Sequence, residues 1–245
     1  MQVYEGIGTL SNQARERPAE LVSVVPVTER WTVARHARAS AKMISRAAHL
    51  AVLDAGTGMY LNAILLDIPI APAVPDEVRR RAQRASAGEE NPRRASRAIE
   101  LRISGAPERG SIWAGDPTHD TTVVYVRPDR PTLDAAIDAR SRRIAAEGLG
   151  EARAIRDLQK DGAPVNPSVL EAVGVREMLR VADGETSVEA AAEEIARRTR
   201  RLARRQMRWF DKLARTLDGK ACVLVVPSPE DPAALHVMHD IVGGC

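Results

Sequence analysis

The stretch Thr186–Arg215, reading TSVEAAAEEIARRTRRLARRQMRWFDKLAR, constrains the fold more than any other part of this chain. Thr186 followed three residues later by Glu189 is a capping-box pattern, and no Pro or Gly intervenes before Gly219. One helix of about 45 Å is therefore expected. At 100° per residue, Arg197, Arg198, Arg200, Arg201, Arg204, Arg205 and Arg208 fall within an arc of about 160° and make one basic face. The opposite arc gathers Ile195, Thr199, Leu202, Gln206, Trp209, Phe210 and Leu213, a seam that must lie on a core. An unpaired buried amide costs about 1–3 kcal/mol, so Gln206, near the centre of that seam, is expected to have a fixed partner.

A run of arginines is ordinarily a solvated face. Here the like-charged pairs Arg197/Arg201, Arg200/Arg204, Arg201/Arg205 and Arg204/Arg208 oppose the helix, which favours an anionic, phosphate-rich partner that offsets them. The formal net charge is +3, whereas residues 197–208 alone carry seven arginines and no acid, so the rest of the chain is net acidic by four. Basicity confined to one surface is what a polyanion site requires.

Other classes are disfavoured. The two cysteines, Cys222 and Cys245, have neither metal-ligand spacing nor the makings of a disulfide framework. No run of 18 apolar residues is present and the N-terminus has no signal-peptide pattern, so a cytoplasmic protein with no membrane partner is expected. His236 and His239 share a helix face, but without a third ligand they do not define a metal site.

Along the chain, Leu21–Val25 and Leu50–Asp54 are expected as strands. The second is a continuous apolar run opening through Ala55-Gly56-Thr57-Gly58 into the helical MYLNAILL, the βα unit of open α/β sheets. Thr57 is placed to touch a ligand if the unit is functional; the glycines alone fit a plain tight turn. A helix is expected over Thr32–Ala48. The proline-rich Asp67–Pro75 leads into an arginine-rich helical stretch, Asp76–Leu101, and Gly105–Asp120 is loop-like. Thr121–Val126 and Ala221–Val226 are further strands, and Pro131–Gly148, Val169–Val181 (around Gly174) and Pro232–Val242 are helices. This gives a partial α/β core over 1–71, a reduced helical insert over 72–104, and the rest of the core over 105–245 with the long helix 187–215.

Seven segments then stand out in order: MQVYEGIGT (Met1–Thr9), AGTGMY (Ala55–Tyr60), PDEVR (Pro75–Arg79), NPRRASRAIEL (Asn91–Leu101), LDAAIDAR (Leu133–Arg140), AVGVRE (Ala172–Glu177) and TRRLARRQMRWF (Thr199–Phe210). Together they resemble the bacterial tRNA dimethylallyltransferase family. Its corresponding motifs include Asp-Ser-x-x-x-Tyr-x-Gly, GGTGLY, L-x-x-R-I-x-x-R, IGY-(K/R)-(E/Q) and TR-x-x-A-(K/R)-RQ-x-TWF. Ala136, Val175 and Arg208 depart from that pattern. The resemblance implies an α/β fold like that of phosphate-loop nucleotide-binding proteins, with a mostly parallel sheet and flanking helices. It further implies transfer of a dimethylallyl group from dimethylallyl diphosphate to the exocyclic amine of an adenine next to the anticodon of tRNA, with Mg²⁺. On this resemblance Arg140 binds the diphosphate. The tRNA anticodon stem-loop meets Met1, Gln2, Thr57, Arg79, Arg93, Arg94, Arg97, Gly174, Arg176, Arg204, Arg205, Gln206, Arg208 and Trp209.

The family's G-x-x-x-x-G-K-(S/T) loop and its Asp-Ser pair, the aspartate being the family's presumed general base, are not found in the 245 residues, so the first two strands of the sheet and the catalytic base are expected to be missing. Three readings fit: a start placed inside the first motif, an RNA-binding paralogue without chemistry, or a relative acting on free adenine nucleotide. The chain as written is expected to be weak or inactive.

Overall fold

The structure is a computed structural model that describes all residues except 1, 12, 14–18, 67, 69, 71–73, 106–110 and 244–245, together with the side chains of 93, 242 and 243. Met1, much of the proline-rich connector and part of the 105–120 loop thus lie outside the described residues. The described elements are α1 (Val33–Ile44), α2 (Gly58–Leu65), α3 (Asp76–Ala85), α4 (Pro92–Ile103), β1 (Thr122–Val126), α5 (Arg130–Glu147), α6 (Leu149–Lys160), α7 (Pro167–Leu170), α8 (Val175–Ala182), α9 (Val188–Leu217), β2 (Cys222–Val226) and α10 (Pro232–Gly243).

The long helix forms as its pattern requires, with a shifted start. Ser187, not Thr186, is the N-cap, and its hydroxyl accepts the Ala190 N–H at 3.1 Å. Its two ends are buried in different cores. Ala191 and Ile195 join Ile7, Leu10, Ile144, Ile155, Val169, Val175 and Met178 in one cluster. Leu213 and Leu217 join Leu61, Leu65, Leu66 and Ile68 in the other. Ile195 and Leu213 are eighteen residues apart, about 27 Å along the axis. Between them the seam opens, and Leu202 is 37% exposed. The helix is a beam resting on two cores, each fully buried aliphatic side chain stabilising its end by roughly 1.5–3 kcal/mol.

β1 and β2 pair in parallel, Thr122 opposite Cys222 through Val126 opposite Val226. The other two expected strands are not formed. Leu21 and Ser23 have positive φ (61° and 51°), which curls that segment into a turn, and only Val25 bridges to Tyr4. Leu50–Asp54 has no ladder partner among the described residues, and Val52 is 85% exposed. An apolar run becomes a buried strand only when neighbours supply both a ladder of hydrogen bonds and a cover, and among the described residues neither segment is in a ladder.

Three further differences are seen. The helix expected over Val169–Val181 is two, because Gly174 stands at φ +95°, where a Cβ would meet the Leu10 carbonyl oxygen at 2.9 Å. Helix α6, over residues the sequence reading left unassigned, turns Ala152 and Ile155 into the first core, while Glu151 accepts the backbone N–H groups of Thr9 and Leu10, each at 2.9 Å. The segment expected as one helical stretch over 76–101 is the α3–α4 pair, closed on buried Ala82, Ser86, Ser96 and Glu100.

Candidate functional site

The open middle of α9 lies across the glycine turn that begins α2. Gln206 Nε2 donates to the Gly56 carbonyl at 2.5 Å, which is the fixed partner its position demanded, although the side chain is half-buried rather than enclosed. One turn on, the Trp209 indole sits against Gly58. A Cβ built on Gly58 would fall 2.1 Å from Trp209 Cδ1, so that residue must be glycine for the ring to lie there. Trp209 Nε1 donates to Asn62 Oδ1 (3.2 Å), and Asn62 Nδ2 donates to the Ile112 carbonyl (3.1 Å). Asn62 is fully buried and its amide is paired on both sides, as a buried amide must be. Trp113 tilts onto Trp209 with ring centroids 4.8 Å apart, and Lys212 lies 4.6 Å over Trp113. Thr57, N-cap of α2, leaves its hydroxyl out of the cap and is exposed beside Gln206.

The asparagine within MYLNAILL was missed as a site residue. The signal was available: one amide in an apolar helix has to be aimed at something.

The seven arginines do not act as one face. Arg197 pairs with Glu194 at 2.6 Å. Arg198 pairs with buried Glu177 and also donates to the Glu171 carbonyl at 2.8 Å. Arg200 spans Asp134 (3.1 Å) and Asp138 (2.6 Å) on α5. Part of the like-charge repulsion is therefore offset by the protein's own carboxylates, and those that reach α9 from α5 and α8 could not be read from the pattern of one helix. Arg201, Arg204, Arg205 and Arg208 are exposed and have no side-chain hydrogen bond or ion pair among the described residues.

Arg140, on α5, also has no ion pair among the described residues. Although exposed by area, its guanidinium is crowded by protein, and that burial followed by the like charge of Arg143 pushes its pKa down. It remains charged at physiological pH. A guanidinium in that position is stabilised by an anion.

A clasp holds α9 to the carboxyl end of β1. Tyr125 donates to Asp211 Oδ1 (3.1 Å), and Arg127 grips both carboxylate oxygens (3.0 and 3.4 Å). Burial first, then the Asp211 carboxylate, pushes the Tyr125 hydroxyl up to about 12. The hydrogen bond from Arg127 holds Asp211 below the usual carboxylate range.

The other expected site residues are dispersed. Arg79 and Arg97 turn inward to Glu100 (3.8 and 2.5 Å), Arg79 also holding Asp76 at 2.8 Å. Arg94 is exposed on α4, and Arg93 lies beside it, its side chain outside the described set. Gly174 is the turn before α8, and its N–H donates to Glu177 (2.8 Å). Arg176 is exposed with a loose contact to Glu171 (3.4 Å). Gln2 accepts the Ser23 N–H and the Gln13 amide through its carbonyl. Met1 lies outside the described residues.

One open cleft of about 460 Å³, lined by Asp116–Asp120 and Lys220, sits before the amino ends of both strands. It is occupied by its own Lys220–Asp116 ion pair (2.6 Å) and lies at the wrong end of the strands for ligand binding in an open α/β sheet. Among the described residues, no three His, Cys, Asp or Glu side chains converge as a metal site.

Fold and site together define an α/β protein whose long helix is tied to a glycine turn through Gln206 and Trp209 and carries, on its other side, four exposed guanidinium groups with no ion pair among the described residues, an arrangement suited to a polyanion. The chain belongs to the IPP transferase family, whose model matches residues 2–91 and 82–213. It is 61% identical over 247 residues to the tRNA dimethylallyltransferase of Rubrobacter xylanophilus, covering 99% of this chain and 85% of that protein. With the tRNA dimethylallyltransferase of Kineococcus radiotolerans the identity is 32% over 266 residues, covering 96% and 81%. Its fold is that of the tRNA delta(2)-isopentenylpyrophosphate transferase of Staphylococcus epidermidis, with a TM-score of 0.65 at 20% identity, over 100% of this chain and 87% of that one. The tRNA isopentenylpyrophosphate transferase of Bacillus halodurans gives 0.66 at 21% identity, over 99% and 84%. The α/β class expected from the sequence is the class these structures share.

Proposed function

We propose that this chain transfers a dimethylallyl group from dimethylallyl diphosphate to the exocyclic amine of an adenine beside the anticodon of tRNA. The observation that carries the reading is the unpaired row Arg201, Arg204, Arg205 and Arg208 on the same helix segment that Gln206 ties to the Thr57 turn. High identity to a tRNA dimethylallyltransferase over almost the whole chain supports it, and favours neither a non-catalytic paralogue nor action on free nucleotide.

In this reading the arginine row meets phosphates of the anticodon stem-loop, and the target base leaves its stack to reach the turn at Thr57. The adenine amine attacks C1 of the donor; the C–N bond forms as the C–O bond breaks, diphosphate departs with the electron pair, and the alkylated amine releases its proton to solvent water. Arg140 takes the charge developing on the leaving diphosphate, as a preorganised cation does. Mg²⁺ is expected with a diphosphate donor, but the described residues converge on no carboxylate cage for it, so no step here is routed through the ion. The α3–α4 pair, with the exposed Arg94, is read as a reduced RNA-facing insert.

The test is transfer of labelled dimethylallyl to a tRNA transcript with an adenine beside the anticodon, with free AMP as a second acceptor. tRNA affinity that falls with salt and with Arg204→Ala/Arg205→Ala is expected, with transfer to tRNA weak because the phosphate loop and the family's presumed base are not found in the 245 residues. Salt-insensitive or absent tRNA binding, or transfer to AMP alone, overturns the reading.

A further inference from the structure

Residues 30–53 contain Arg30, Arg35, Arg38, Lys42 and Arg46 and not one carboxylate, in a chain where 33 of 245 residues are acidic. On α9, neighbouring elements supply acids to Arg198 and Arg200, and the helix's own Glu194 pairs with Arg197. On α1 that happens only at the first turn, where Arg35 binds Glu29 at 2.8 Å and stacks 4.5 Å over Trp31. Arg38 and Lys42, four residues apart, and Arg46 in the turn that follows, are all exposed, with no side-chain hydrogen bond or ion pair among the described residues.

The other face of the helix is taken. α1 packs on α2, with His36 edge-on to Tyr60 at 5.0 Å and Ser40 buried. The basic line lies on the arc of α1 opposite His36 and Ser40, exposed and without an ion pair among the described residues, and its i,i+4 like-charge spacing opposes the helix unless an anion lies along it. Location adds to this. α2 is the helix that begins at Gly58 beneath Trp209, and packed helices lie about 8–10 Å apart, so α1 stands one helix away from the turn to which Gln206 ties α9.

The chemistry selects among polyanions. The residues between the cations on α1 are Ala39, Ser40, Ala41, Met43 and Ile44, and the line itself presents no large apolar side chain to anchor in a bilayer or to fill a pocket on a protein partner. Phosphate contact to a nucleic acid needs only the cations. We propose that Arg38, Lys42 and Arg46 form a second contact with the phosphate backbone of the RNA substrate, separate from the α9 arginines. This rests on the RNA reading above, and the test is arranged so that the two can fail separately.

The affinity of the full chain for an unmodified tRNA transcript is measured between about 50 and 300 mM salt, the range in which counterion release is resolved. The wild type is compared with Arg38→Glu/Lys42→Glu/Arg46→Glu, with the corresponding triple glutamine variant, and with Arg204→Ala/Arg205→Ala. Melting temperature checks that each is folded, and the glutamine variant, which adds no charge, stands in if the glutamate one is not. The α1 variants are expected to weaken tRNA binding about tenfold or more at low salt and to lower the salt slope by about one for each side chain that meets a phosphate. Wild-type affinity and slope in folded α1 variants, with loss in the α9 variant, overturn the proposal and leave the RNA reading standing. Unchanged binding in both sets overturns both. Loss of binding to anionic phospholipid vesicles or to an acidic protein, with tRNA binding intact, assigns the surface elsewhere and likewise overturns it.

Discussion

Trp209 and Gly58 occupy each other's space: a Cβ on Gly58 would lie 2.1 Å from the indole Cδ1. Two motifs 151 residues apart in sequence are thereby one structural unit, with the Gln206–Gly56 hydrogen bond on one side and the Trp209–Asn62 bond on the other.

Gly58→Ala tests that unit by its sign. Helix propensity alone favours alanine by about 1 kcal/mol. Packing opposes it, because the ring must leave, and a net loss of about 1–3 kcal/mol is expected in urea unfolding. Gly150→Ala in α6, where a Cβ meets nothing within 4 Å, should instead be neutral or stabilising.

Trp209→Phe keeps an aromatic ring but leaves the buried Asn62 oxygen unpaired, a cost of about 1–3 kcal/mol. A double-mutant cycle with Asn62→Leu should show coupling of about 0.5–3 kcal/mol between the two positions by chemical denaturation. Additive losses would mean that the hydrogen bond does not hold the ring.

Arginines of the same helix are expected to separate into two kinds. Arg198→Ala strands the buried Glu177 carboxylate and should cost about 3–5 kcal/mol of stability. Arg205→Ala should change stability by less than about 0.5 kcal/mol while weakening tRNA binding. Thermal melts and a salt series on both variants measure the split.

Alkaline titration reads the clasp. Tyr125 keeps its proton in the folded protein up to about 12, whereas an unfolded tyrosine releases it near 10. Between those values the folded state binds more protons, so stability falls as pH rises through that window. Tyr125→Phe should remove that part of the fall. Asp211 has the opposite sense: its lowered pKa contributes stability above the ordinary carboxylate range, lost as pH falls through the folded value, and Asp211→Asn should flatten the acid limb.

Much of this was legible in the chain. The thirty-residue helix follows from its periodicity and the lack of Pro and Gly, and Gln206 was marked by being an amide on an apolar seam. β1 and β2 are short β-branched runs within one residue of their expected bounds. The segments at Leu21–Val25 and Leu50–Asp54 were misread because a strand needs partners, which composition does not supply. Gly174 was read as a helix interior because neither its +95° φ nor the Leu10 carbonyl, which a Cβ there would meet at 2.9 Å from 164 residues away in sequence, can be read from the local pattern.

By itself, then, the sequence determined where the long helix runs, which of its sides is charged, and that the charge is concentrated there. Only the tertiary structure decided which arginines are spent on the protein's own acids and which stay free, because Asp134, Asp138 and Glu177 reach α9 from α5 and α8. Local periodicity depends on neighbours in the chain, whereas charge pairing depends on what the fold brings within about 4 Å.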